Sequence, residues 1–93
     1  MDVWIETTAG TLVKASATTH ISMRKTEKSG WEVSVSASAA PAPVATGLAD
    51  QSAARTVRNT LALSMSTAKA AKTPQVVAYD ADSLSVTSYD LAA

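Results

Sequence analysis

Few residues in this chain stand at spacings that could do chemistry. Asp80 and Asp82 are separated by one residue and follow the apolar run Val76-Val-Ala-Tyr79. Two carboxylates so placed can share a hard cation through oxygen ligands, as a metal-assisted hydrolase requires. A calcium loop asks for more. Leu84 stands where a third oxygen ligand is needed, Ser85 where glycine is needed, and Leu91 where the closing glutamate is needed. His20 is the sole histidine. A Ser-His-Asp relay is formally open to it, but no serine has the flanking glycines of a nucleophile elbow. A solvated or hydrogen-bonded ring is therefore expected at His20.

The apolar strand that ends in Asp80-Ala-Asp82 resembles the nucleophile motif of haloacid-dehalogenase-type phosphatases, and Asp-x-Asp also binds metal in many glycosyltransferases. Those families need a large α/β domain with further motifs downstream, whereas only a short tail follows here. A polar turn between two strands is the preferred reading. The residues Leu91-Ala-Ala93 look like the end of the bacterial trans-translation tag, which implies a short-lived bacterial or phage protein.

The chain has no cysteine, so disulfides, cysteine zinc sites and thiol catalysis are excluded. Gly10, Gly30 and Gly47 lie too far apart for a phosphate loop. No cofactor, metal site or catalytic set emerges, and the chain reads as non-enzymatic.

Charge is the other chemical resource. Net charge is zero, with eight cations and eight carboxylates, which argues against generic polyanion binding. The distribution is uneven. From Gln51 to Tyr79 there are four cations and no carboxylate, and from Asp80 onward three carboxylates and no cation. Arg55, Arg58 and Lys69 fall in one narrow sector at helical spacing, beside the apolar stripe. The favoured reading is a solvated flank, or one paired with the acidic tail. The sharper alternative is a regulator that touches nucleic acid or another polyanion. No aromatic interleaves these cations and no second helix stands at helix-turn-helix spacing, so sequence readout is not indicated.

The element that carries this flank is a helix predicted over 50–72. Ala54, Val57, Leu61, Met65 and Ala68 recur at three- and four-residue spacings. Asp50 is the expected N-cap, Lys69 and Lys72 suit the last turn, and Thr73-Pro74 ends the run. A third face holds Thr60, Leu63, Thr67 and Ala70, small residues around one leucine, and is the candidate oligomer contact.

Strands are predicted from alternation over 2–8, 11–14, 20–25, 31–38, 76–79 and 84–89. Ala9-Gly10 supplies a hairpin turn, and Ala39 to Val44, with alternate prolines, an extended connector. Trp31, Val33, Val35 and Ala37 alternate with Glu32, Ser34, Ser36 and Ser38, so one face should be apolar and the other wet. Ninety-three residues suit one domain with a thin core around Trp4, Trp31 and a few aliphatics. Residues 1–93 are thus expected to form a single small α+β domain: an antiparallel β-meander, one long amphipathic helix on one face, and a C-terminal strand pair. The chain lacks a membrane-length apolar segment and a signal-peptide core, and reads as cytoplasmic. Its expected partner is itself or another protein.

Overall fold

A computed structural model describes residues 2–28, 30–36 and 41–92. Among these residues alternation and turn chemistry produce seven strands, one α-helix and a short 3-10 helix over Ala15–Ala17: β1 (Val3–Glu6), β2 (Leu12–Lys14), β3 (His20–Thr26), β4 (Gly30–Ser36), β5 (Ala42–Leu48), α1 (Gln51–Ala68), β6 (Gln75–Asp80) and β7 (Ser85–Asp90). The class is α+β, with the helix packed on antiparallel pairings as expected.

The sheet is not one meander. β3, β4 and β5 form a three-stranded antiparallel sheet, and β2-β1-β6-β7 form a separate mixed sheet. The C-terminal pair joins the N-terminal hairpin because β6 runs parallel to β1, with Val3 opposite Gln75 and Ile5 opposite Val77. The long course through β3, β4, β5 and α1 is what allows a parallel pairing, which a tight turn cannot make. Gly10, at φ +81, closes the β1–β2 turn, where Gly10 N–H donates to the Thr7 carbonyl at 3.0 Å.

β5 was expected as a connector. Alternate prolines argue against a central strand, but β5 is an edge strand, where a missing donor is tolerated. The Pro43 carbonyl accepts from Thr8 N–H at 2.9 Å and ties the two sheets together. Ala37 and Ser38, expected to end the fourth strand, and Ala39 and Ala40, expected to begin the connector, lie outside the described residues. So does Ala93, the last residue of the tag-like tail.

α1 begins as expected, with Asp50 Oδ1 accepting from Ala53 N–H at 2.8 Å. It ends at Ala68 rather than at residue 72. Beyond it Ala70 and Ala71 N–H bond to Thr67 and Ala68 carbonyls, tight turns that send the chain back toward β6. Lys69 is the C-cap and Lys72 lies past the helix, so neither sits in its last turn.

α1 packs across β6 and β7 of one sheet and β3 and β4 of the other. Its stripe of Ala54, Val57, Leu61 and Ala68 is buried in one cluster with Val33 and Val35, and Met65 and Trp31 pack against that cluster. The largest fully buried side chains are Ile5, Leu61, Val33, Val35, Val76 and Val77. Trp4 is half-buried and lies outside the cluster. Strand alternation puts it opposite Val3 and Ile5, on the outer face of the mixed sheet, in one row with Val76 and Tyr89.

The second face of β4 is not wet. Glu32 and Ser34 are 7% and 5% exposed. Glu32 sits directly across from Arg24 in the β3–β4 ladder, and Arg24 Nε donates to its Oε1 at 2.6 Å. That cross-strand pair satisfies the carboxylate and lets it be buried. Among the described residues no helix is long and apolar enough to cross a membrane.

Candidate functional site

Of the Asp80–Asp82 pair, the Asp80 carboxylate is engaged by local structure. Asp80 Oδ1 accepts from Asp82 N–H and Oδ2 accepts from the Ser83 hydroxyl, both at 3.0 Å. This is the side-chain-to-backbone bonding that shapes an aspartate turn. Among the described residues no group of three or more His, Cys, Asp or Glu side chains stands where a metal could be held. His20 is exposed, and its Nδ1 lies 2.9 Å from the Thr19 hydroxyl. Strand pairing sets His20 opposite Ser36, and Thr19 Oγ1 donates to the Ser36 carbonyl at 3.2 Å.

Arg55 and Lys69 are exposed and Arg58 is half-buried, with its Nε donating to Asn59 Oδ1 at 3.1 Å. Helical rise separates Arg58 from Lys69 by roughly 16 Å along the axis. At physiological salt that is about two Debye lengths, so Lys69 acts apart from the arginine pair. The acidic tail does not neutralise the flank. Among the described residues the ion pairs are Lys14–Asp2 and Arg24–Glu32. The tail carboxylates are held locally instead: Asp90 accepts from the Thr73 hydroxyl at 2.7 Å and from Ala92 N–H at 2.8 Å.

The third helix face is open. Leu63 is 67% exposed. Thr56 and Thr67 donate their hydroxyls to the Ser52 and Leu63 carbonyls, at 3.1 and 3.0 Å. Each threonine thereby uses its polar atom on the helix and leaves its methyl on the surface. Thr60 is half-buried on the same face, whereas Ala70 lies in the turn after α1. The structure thus groups Thr60, Leu63 and Thr67 and sets Ala70 beyond them.

Two features were not anticipated. A groove of ≈ 420 Å³ runs beside the first half of α1, walled by Leu48, Ala49, Ala53, Val57, Tyr79 and Leu84. Its walls supply hydroxyls and methyl groups but no carboxylate, imidazole or amine, so it can hold apolar matter and cannot shuttle protons at neutral pH. Leu84 overhangs it at 73% exposure and φ +54, a left-handed backbone rare for leucine. The second feature is the outer row Trp4–Val76–Tyr89, which closes over Val76 until it is fully buried. Alternation alone could have placed Trp4 there, but the partner strands were not readable.

No protein-family model matches the chain, and comparison with curated proteins and with solved structures finds no significant similarity.

Proposed function

We propose that this chain is a non-enzymatic interaction module that works by associating with itself through the Thr60–Leu63–Thr67 face of α1. The observation that carries the reading is Leu63, a large apolar side chain 67% exposed beside Thr67, whose hydroxyl is already bonded to the Leu63 carbonyl. Exposed leucines occur singly on many surfaces. Here the surrounding methyls widen one leucine into an apolar strip, which water covers at a cost. Sedimentation velocity at tens of micromolar is the test. The wild type is expected to sediment as an oligomer and Leu63→Glu as a monomer, and a wild-type monomer refutes the reading.

A second reading rests on the cations that the acidic tail leaves unpaired. Arg55 and Arg58, with Lys69 farther along, would contact nucleic acid or another polyanion. Binding would then fall steeply with salt as counterions are released. A gel shift at low salt showing no retardation of a mixed-sequence duplex removes it.

A further inference from the structure

We propose that β7 is the edge through which two copies of this chain pair, joining their mixed sheets across a twofold axis at Ser88. The proposal rests on the self-association reading and specifies its geometry.

β7 is an edge strand of six residues whose pairing with β6 has no register break. The direction of its backbone groups follows from the neighbouring bonds. Gln75 N–H reaches the Asp2 carbonyl on the β1 side, at 3.2 Å. Alternate residues Val76, Ala78 and Asp80 therefore turn their groups toward β7, where Tyr89, Thr87 and Ser85 stand opposite. Leu91 N–H, bonded to the Pro74 carbonyl at 2.9 Å, continues the same series. The N–H and C=O groups of Val86, Ser88 and Asp90 consequently point away from β6, at the free edge.

A twofold axis normal to the sheet runs two β7 strands antiparallel with like faces on the same side. The register centred on Ser88 sets Val86 against Asp90 of the second copy and Ser88 against itself. All the outward groups then fall in closely bonded pairs, giving roughly six hydrogen bonds. Ser85 to Tyr89 carries no charge, and the register sets each Asp90 against Val86 and not against the other Asp90; Ser88 is exposed.

The other edges are guarded. β2 has three residues, and β3 carries Arg24 and Lys25. β5 contains Pro43, whose carbonyl is already bonded to Thr8, and its pairing with β4 is irregular. Short length, charge, proline and bulges are the usual protections of an edge; β7 has no proline and no bulge, and its single charge, Asp90, stands at its last residue.

The helix face fits the same axis. Thr56 and Thr60 border a cleft with Leu84, Ser85 and Val86, so this side of α1 looks over β7. Pairing through β7 carries the second helix to the same side of the joined sheet and turns the two Thr56–Thr60 flanks toward each other across the axis. Edge bonds alone bury little apolar surface, and a stable interface needs about 1,200–2,000 Å². The helices supply the remainder.

Ser88→Pro and Ser88→Lys test the proposal. Proline removes a donor only on the free side, leaving the β6 ladder intact, and lysine sets two like charges across the axis. Sedimentation velocity with circular dichroism is expected to show a wild-type dimer and two folded monomeric variants. Hydrogen exchange is expected to be slow at Val86, Ser88 and Asp90 in the dimer and fast on dilution. A dimer that persists in both variants, with those amides exchanging fast, overturns the β7 pairing while self-association through another surface stands. A wild-type monomer overturns both. Where Ser88→Pro fails to fold, Ser88→Lys decides, because an exposed lysine leaves the β6 ladder untouched.

Discussion

The Tyr89 hydroxyl donates to Glu6 Oε1 at 3.3 Å, bridging β7 to β1 over the strand that lies between them. Desolvation raises the phenol's pKa above its usual value, and the Glu6 charge and the hydrogen bond to Glu6 raise it further. The folded state then holds a proton that the unfolded chain has given up. Its contribution to stability is complete below pH about 10 and is lost as pH climbs through the folded pKa. With 45% of the residue still exposed, solvent screens the charge. An ultraviolet titration in a Tyr79→Phe background should give a midpoint above that of the unfolded chain, and Glu6→Gln should lower it.

Asp90 titrates in the opposite sense. The Thr73 hydroxyl, and after it the Ala92 N–H, bond its carboxylate and lower the pKa below the usual aspartate value. The stabilisation is present above the unfolded pKa, about 3.9, and disappears as pH falls through the folded one. Carbon-detected NMR should find Asp90 titrating below the usual aspartate value, and Thr73→Val should move it upward.

At the start of α1, Asp50→Ala removes the acceptor that holds Ala53 N–H. The expected loss is about 1 kcal/mol in a urea titration, with Asp50→Asn recovering most of it. Equal midpoints for the wild type and Asp50→Ala would remove the cap from the account of helix initiation.

Gly30 opens β4 at φ +72, and a Cβ placed there would stand 2.7 Å from the Leu48 carbonyl oxygen. Gly30→Ala therefore combines a left-handed backbone with a clash against a main-chain atom. A loss of about 2 kcal/mol is expected by thermal or urea melting. Gly10→Ala, with open space around it, should lose less.

Leu84 holds a left-handed backbone without being glycine, on a side chain 73% exposed. Asparagine adopts that conformation more readily, so Leu84→Asn should gain about 1 kcal/mol at the hairpin. A melt showing destabilisation would mean that Leu84 contributes packing over the groove that outweighs its backbone strain.

Much of the fold was legible because its signals are local. Val57, Leu61 and Met65 recur at helical spacing, Asp50 is a typical cap, and Val33 and Val35 alternate. Each pattern can be read within a few residues. What escaped the sequence was decided by distant partners. Trp4 looked like core by size alone, yet β6 and β7 assign it to an outer face. Glu32 looked wet until Arg24 satisfied it from the neighbouring strand. Pro43 argued against a strand, but no rule of composition says which strands become edges. The helix face around Leu63 was legible because exposure follows from the angle between it and the apolar stripe. The open edge of β7 was not, since strand order cannot be read from alternation.

The parallel pairing of β1 with β6 also bears on how the molecule is made. Val3 meets Gln75 only after the chain has looped through every intervening element. Closing so long a loop costs entropy before any contact repays it, and folds dominated by such pairings form slowly. On the ribosome β1 would wait beside β2 as an unsupported hairpin until β6 had left the exit tunnel. Synthesis that stalls short of β6 should therefore release a nascent chain with a sticky, half-built sheet, open to chaperones and proteases.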